Sequence, residues 1–575
     1  MSTPYRQDTR IGELSTPLGR DTLALVEFSG TEGMSELFQF DITALCDEQF
    51  TGPLNFDKAL GQDCTVRVLT PDQGERYFCG TLTEAARIGP AKGGALYHLV
   101  LRPWFWMLTQ RVNSRVFHNM TPEEIIKAVL QKYRPDIDSR TSGRQMQLEY
   151  CVQHRESDFA FVSRLLERHG IAYHFEFGNN KQTMVLTDSR SGYGTVPGGT
   201  RPYYPDEASV RDEREYLNSW VAKRQFVSGT VALKDYNYLQ ANADMMAQRQ
   251  ASAGYAHGGL EIYHHPGQFL NQDEGNVYAT AARDAVQARD GLFNADGYCI
   301  GFSAGLTFTL EKHADAAEYL VLRASHRLVS EEYISGGGDQ GEVYRGSYEL
   351  FRTDRSYAPP QVTPRPFIAG PQIAIVVTDP GDDPENLGRV KVKFHWHKSG
   401  SEGDSMWCRV AQVWVGQEWG AQFIPRIGME ALIQFIEGDP DRPVIIGTVP
   451  NDSYRLPYSD EANLSGWITR SDNEIQFDDT GGKELVRIYG KRDIEIEAVH
   501  QITLKVGSST IVIDGNSITM KSTNITIEAS STLKTEGKIS ASHKAGADLT
   551  TESGGTATHK ASAVVTIQGA LVKIN

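Results

Sequence analysis

Nowhere in its 575 residues does the chain carry an unbroken run of the about 18 apolar residues that a membrane-spanning helix requires, which argues against a helical membrane protein. The opening residues, Met1-Ser2-Thr3-Pro4-Tyr5-Arg6-Gln7, hold no apolar core of a Sec-type signal, so any export is expected to use another route. Cysteine is scarce. The six residues Cys46, Cys64, Cys79, Cys151, Cys299 and Cys408 are scattered without a CxxC pair, which reads as reduced, buried thiols of a cytosolic chain. No Walker-type loop is present, so no nucleotide site is expected. Positive charge is in deficit: 57 Lys and Arg against 73 Asp and Glu leave a net charge of −16, which disfavours nonspecific binding of nucleic acid or of an anionic membrane.

What the chain does have is β structure and turns. Hydrophobic residues at 40% and charged residues at 23% are ordinary for a folded chain, and 54 glycines suit a turn-rich one. The length predicts three or four domains. The most informative stretch is the last eighty or so residues, where short apolar pairs recur every seven to nine positions: Ile494/Ile496, Ile502/Leu504, Ile511/Ile513, Ile518/Met520 and Ile525/Ile527. Within each pair apolar and polar residues alternate, the signature of a strand with one buried face. Turn residues such as Gly507-Ser508-Ser509 and Asp514-Gly515-Asn516 separate the pairs. Strands this short offer two side chains each to a core, too few for one chain, so the segment is expected to self-associate into an elongated rod. After Leu533 the inward candidates become Ala541, Ala545, Ala547, Ala557, Ala561 and Ala563, which implies a taper. Val565, Ile567, Leu571, Val572 and Ile574 then restore an apolar end that needs a cap.

Residues 1–365 read as a mixed but strand-rich base. Leu23–Phe28 and Thr65–Leu69 look like strands, and Thr121, Pro122 and Glu124 predict a capped helix with Ile125, Ile126, Val129 and Leu130 on its apolar face. A second helix is predicted from Ser157 or Asp158 to a stop at Gly170, followed by a strand with Ile171, Tyr173, Phe175 and Phe177 on one face. Five prolines between Pro359 and Pro371 mark a linker. Strands at 372–378, 389–397, 406–415, 430–436 and 443–449 predict a small barrel of OB type over 366–455. A polar connector is expected over 456–490 and the ladder over 491–575.

Four patterns tempt a chemical reading. Gly301-Phe302-Ser303-Ala304-Gly305 fits the G-x-S-x-G nucleophile elbow, but an alternating strand follows where the elbow needs a helix, so a turn between strands is expected. His395/His397, and His264-His265 before Pro266, lack further ligands at metal spacing and read as surface or interdomain residues. Glu437, Asp439 and Asp441 bracket a Pro-containing turn with too few oxygens for a calcium loop. Lys391 and Lys393 alternate with Phe394 and Trp396, so cations and aromatics face opposite sides and do not form one nucleic-acid face. No catalytic, cofactor or metal residues are assigned.

The segment ESDFAFVSRLLERHGIAYHFEF (Glu156–Phe177) resembles the signature of VgrG, the spike protein family of the bacterial type VI secretion system. GTVALKDYNY (229–238), EIYHHPGQF (261–269), GRVKVKFHWH (388–397) and EGDPDRPVIIG (437–447) follow in the family's order. The resemblance implies a mainly β, partly α (α+β) homotrimer with a phage-tail-hub-like base of β-barrel domains, an OB-fold and a C-terminal trimeric intertwined β-helix. On that architecture the ten residues of the ladder pairs form the trimer core, and strands stacked about 4.7 Å apart build a needle of roughly 50 Å. The resemblance also implies a puncturing, non-catalytic role. The implied partners are an Hcp tube, baseplate proteins, a PAAR-repeat tip protein, and effector or adaptor proteins, but no nucleic acid. It further implies assembly in the bacterial cytoplasm and secretion through the type VI apparatus. Leu571, Val572, Lys573, Ile574 and Asn575 are expected to dock the tip protein, and the chain is expected to lack the extra effector domain of some family members and the lysozyme-like insertion of the phage counterpart. The alternatives are the hub and spike of a phage tail or tail-derived particle, or a cell-wall hydrolase.

Overall fold

Period-2 patterning dominates the chain and strands dominate the structure, a computed structural model that describes residues 5–72, 74–133, 136–143, 146–205, 214–251, 253–330, 343–398 and 406–574. The chain divides into two units, Met1–Arg455 and Leu456–Asn575.

In the first unit a 12-stranded sheet runs in the order Gly12–Ser15, Asp63–Leu69, Glu75–Ala91, Gly94–Arg102, Gln39–Cys46, Ala24–Gly33, Glu318–Val329, Tyr344–Arg352, Leu292–Tyr298, Tyr216–Lys223. Leu306–Glu311 branches from Glu318–Val329 and pairs in turn with Gly194–Pro202. The decisive join is antiparallel, with Gly33 opposite Arg323 and Glu27 opposite Val329. It welds the start of the predicted base to its end. Phe28, Phe38, Phe40 and Phe78 fill the core beside this join, with ring centroids 4.5 to 5.5 Å apart. All six cysteines lie buried, and burial pushes the Cys64 and Cys151 thiols up to about 12.

The Pro122–Leu130 helix forms with the predicted reciprocal cap: Glu124 N donates to Thr121 Oγ1 at 3.3 Å and Thr121 N donates to Glu124 Oε2 at 2.8 Å. Its four predicted apolar residues are fully buried, each contributing roughly 1.5–3 kcal/mol. Ser157 caps the Asp158–Arg168 helix by accepting from Ala160 N, and Gly170 follows at φ +68°. The next strand, Ala172–Gly178, departs from expectation. Ala172, Tyr173, His174 and Phe175 are all buried, because the strand is covered on both faces rather than one.

The predicted barrel forms from Gln372–Val376, Val390–Phe394, Met406–Val410, Glu430–Phe435 and Pro443–Thr448, closed on itself. Val376, Val390, Val392, Phe394, Ile433 and Phe435 make its core. The third strand is shorter than predicted. It stops at Val410, and the chain turns into a hairpin arm over residues 412–423.

The second unit holds two three-stranded antiparallel sheets. Leu464–Ile468, Glu474–Asp478 and Leu485–Tyr489 form the first, so the segment 456–490 is not the plain connector expected. Gln501–Val506, Ser509–Asp514 and Ile518–Lys521 form the second.

Candidate assembly surfaces

The ladder's register decides what its apolar pairs do. Ile502 lies opposite Ile513, which lies opposite Ile518; Leu504 lies opposite Ile511, which lies opposite Met520. Directly opposed residues project to the same face of a sheet, so these six make one apolar plaque, two residues wide and three strands deep. The other face carries Thr503, Val512 and Thr519 in register. Nothing in the unit covers the plaque: Ile518 is 70% exposed and Leu504 58%, and only Ile502 of the six is half-buried. Among the described residues, no apolar side chain beyond Ile445 is fully buried. The chain exposes 33967 Å² for its 63.8 kDa, against roughly 20,000 Å² expected of a folded monomer of that mass.

Three of the five pairs bond to one another within the chain, because turns such as Gly507-Ser508 let successive strands fold back. Ile494/Ile496 and Ile525/Ile527 lie in segments without an assigned strand, all four exposed, and among the described residues after Lys521 no strand pairing occurs. At the chain's end Leu571, Val572, Lys573 and Ile574 are exposed, and Asn575 lies outside the described residues.

A second assembly of polar groups joins barrel to base. Four of the five segments that carried the family resemblance, 156–177, 229–238, 261–269 and 437–447, converge here, which their order along the chain does not show. Arg442 donates twice to Asp235, at 2.7 and 2.6 Å. Asp235 also accepts from Phe269 N at 3.2 Å. Arg168, on the second helix, donates to the carbonyls of Gly267 and Gln268 at 2.8 and 2.6 Å. Arg365, from the proline-rich linker, bonds Asp439 at 2.9 Å and also Asp441, whose Oδ1 accepts from Val152 N at 2.7 Å. The Glu437–Asp441 turn is thus an ion-paired clamp, its two aspartates committed to arginine. Burial pushes the Asp441 carboxyl upward against the pull of Arg365, and the two aspartates outweigh burial in raising Arg365. The only signal available in the sequence was acid-rich EGDPDRP set against basic Arg365, and no spacing rule connects them.

The G-x-S-x-G segment is a turn, as predicted. Ser303 Oγ donates to Glu32 Oε2 at 2.7 Å, Arg76 donates to Glu32 Oε1 at 2.8 Å, and His326 Nε2 lies 3.3 Å from that same oxygen. A hydrolase serine must meet the imidazole, with the carboxylate behind it; here the carboxylate stands between them. Burial would raise Glu32, but Arg76, His326 and Ser303 hold it below its ordinary value, so it is a poor base. Gly305 has φ +86°, and a Cβ there would lie 2.3 Å from the His174 ring, so this glycine answers to packing. His395 and His397 do not share a strand face, since the strand ends at Phe394; His395 is exposed. Among the described residues no group of three or more His, Cys, Asp or Glu is arranged to hold a metal ion.

Comparison with known proteins adds the following. Residues 31–332 match the family model described as phage tail baseplate hub (GPD), and residues 372–449 the one described as type VI secretion system/phage-baseplate injector OB domain. The type VI secretion system spike proteins VgrG1b and VgrG1a of Pseudomonas aeruginosa PAO1 are each 33% identical to the chain over 521 residues. These matches cover 87% of the chain and 70% and 80% of the relatives. Among solved structures, the E. coli c3393 protein, a type VI component described as similar to T4 tail proteins gp27 and gp5, superposes with a TM-score of 0.54 at 19% identity, covering 76% of this chain and 100% of that one. The lidless PdpA-VgrG complex superposes with a TM-score of 0.54 at 10% identity, covering 86% of this chain and 93% of that one. At such identities these superpositions speak for the fold.

Proposed function

The chain belongs to the VgrG family of type VI secretion system spike proteins, and from that premise we propose that it acts as a trimeric, non-catalytic, membrane-puncturing spike that caps an Hcp tube within a baseplate and carries a PAAR-repeat tip protein and effectors, directly or through adaptors, into target cells. Residues 1–365 serve as the hub-like base, the barrel over 366–455 as an OB-fold, 456–490 as a junction carrying its own sheet, and 491–575 as the trimeric β-helix. The protein assembles in the cytoplasm and leaves through the type VI apparatus.

The observation that carries this reading is the uncovered plaque of Ile502, Leu504, Ile511, Ile513, Ile518 and Met520. A sheet that presents six apolar side chains to water on one face requires a partner surface of like kind, and further copies of the same sheet supply it. Symmetry about a three-fold axis would seat three such faces against one another, with Ile494, Ile496, Ile525 and Ile527 continuing the seam. Leu571 to Asn575 would then present three apolar ends as a docking plane for the tip. The non-catalytic role is supported by Ser303, whose hydroxyl is committed to a carboxylate. Size-exclusion chromatography with mass measurement tests the reading: a trimer near three times 63.8 kDa is expected, and a stable monomer at micromolar concentration would refute it.

A further inference from the structure

The barrel's hairpin arm is built but uncovered. Ala421 N donates to Trp414 O and Gly416 N to Trp419 O, each at 2.8 Å, and Val415 bridges Gly420. At the arm's base Phe423 N donates to Gln412 Oε1 at 2.8 Å. Gly420 has φ +133°, and a Cβ there would lie 2.4 Å from the Trp414 carbonyl oxygen, so the tight return needs glycine. This ordered backbone holds apolar side chains in water: Val413 is 91% exposed, Val415 73% and Trp414 64%, with Trp419 and Phe423 also exposed. The two indoles touch only edge to face, at 4.9 Å. Each aromatic offers roughly 150–250 Å² when buried, so the arm supplies a substantial share of the about 800 Å² per partner that a stable interface uses. Preformed tryptophans of this kind suit the centre of an interface.

A receptor of matching chemistry lies between barrel and base. It is a cleft of about 720 Å³ whose lining includes Tyr236, Tyr238, Leu239, Lys391, Trp407 and Arg409, together with the carboxylates of Glu149, Glu385 and Glu437. Arg409 sits 4.4 Å from the Tyr238 ring and Lys391 5.0 Å from the Trp407 ring, and among the described residues neither cation has a carboxylate partner. Glu418, at the arm's tip with φ +61°, forms no ion pair among the described residues. No arm residue lines the cleft of its own copy. We propose that the arm of one copy inserts into the cleft of the next, with Trp414 and Trp419 against Tyr236, Tyr238 and Leu239 and with Glu418 meeting Arg409 and Lys391. Such a head-to-tail contact uses different surfaces on the two copies and closes into a ring when the rotation between copies is a third of a turn, as the trimer's symmetry requires, so the barrel level locks the trimer independently of the ladder. The inference rests on the trimeric reading above.

The test uses the full chain. In Val413→Cys/Leu239→Cys, oxidation should produce covalent dimers and trimers on a non-reducing gel, while neither single variant does so. Trp414→Ala/Trp419→Ala should weaken the trimer at least tenfold with the base still folded. A trimer that shows no cross-link in the double cysteine variant and no loss in the double alanine variant overturns the inference and leaves the trimeric reading standing. Cross-linking by Val413→Cys alone would mean that the arms meet each other, and also overturns it. A wild-type monomer overturns both.

Discussion

Ile518→Asn probes the ladder plaque where the structure leaves it most open. Ile518 is 70% exposed in the single chain and stands opposite Ile513. Fully burying such a side chain is worth roughly 1.5–3 kcal/mol, so the share that assembly adds is about 1–2 kcal/mol per copy. An amide placed in a dry seam without a partner costs about 1 kcal/mol or more besides. Three-fold symmetry triples the effect to about 6 kcal/mol per trimer, roughly four orders of magnitude in the assembly constant. The control is Thr519→Asn, one residue away but on the opposite face, opposite Val512. Native mass spectrometry across a dilution series should show Ile518→Asn dissociating at far higher concentration than wild type, with Thr519→Asn close to wild type. Thermal unfolding of the base should be unchanged in both, because the strands that carry the plaque form a sheet of their own. Equal effects from the two variants, or none from Ile518→Asn, would refute the assignment of the buried face.

Other expectations follow from the first unit and the chain's end. Arg365→Met leaves the half-buried Asp441 without its arginine and the buried Asp439 with only the longer 3.5 Å pairing to Arg442, and should destabilise the barrel–base junction by about 3 kcal/mol in thermal or urea unfolding, with part of the loss restored when Asp441→Asn is added. Asp383 accepts from three backbone N–H groups and twice from the Arg389 side chain. Burial raises its carboxyl, but these bonds prevail and hold it at about 2. Its contribution, about 2 kcal/mol, should be complete at neutral pH and fade as the pH falls below about 4 towards 2; the stability gap between wild type and Asp383→Asn should therefore close over that window, and a pH-independent gap would contradict the charge argument. Deleting residues 571–575 should abolish capture of a PAAR-repeat protein in a pull-down while leaving the trimer mass unchanged.

Elements governed by local rules were legible before any fold was known. The Thr121–Glu124 cap, the Ser157 cap with its Gly170 stop, and the five barrel strands all follow from side chains a few positions apart, where hydrogen bonding and periodicity act within one turn or one strand. The ladder's apolar pairs were legible for the same reason. Non-local pairings were not. Nothing in the sequence shows that the Ala24–Gly33 strand lies beside Glu318–Val329, that Ala172–Gly178 is covered on both faces, or that 456–490 holds a sheet.

The sequence alone thus determined that this chain is mainly β, that its last segment cannot bury its own apolar residues, and which family it resembles, because periodicity and motif order are properties of the chain itself. Tertiary structure alone decided that Arg365, Asp235 and the EGDPDRP turn form one clamp, that Ser303 meets a carboxylate and not an imidazole, and that three ladder pairs align as one plaque. Those outcomes depend on register and on contacts between residues far apart in sequence, which are set by how whole sheets close and pack.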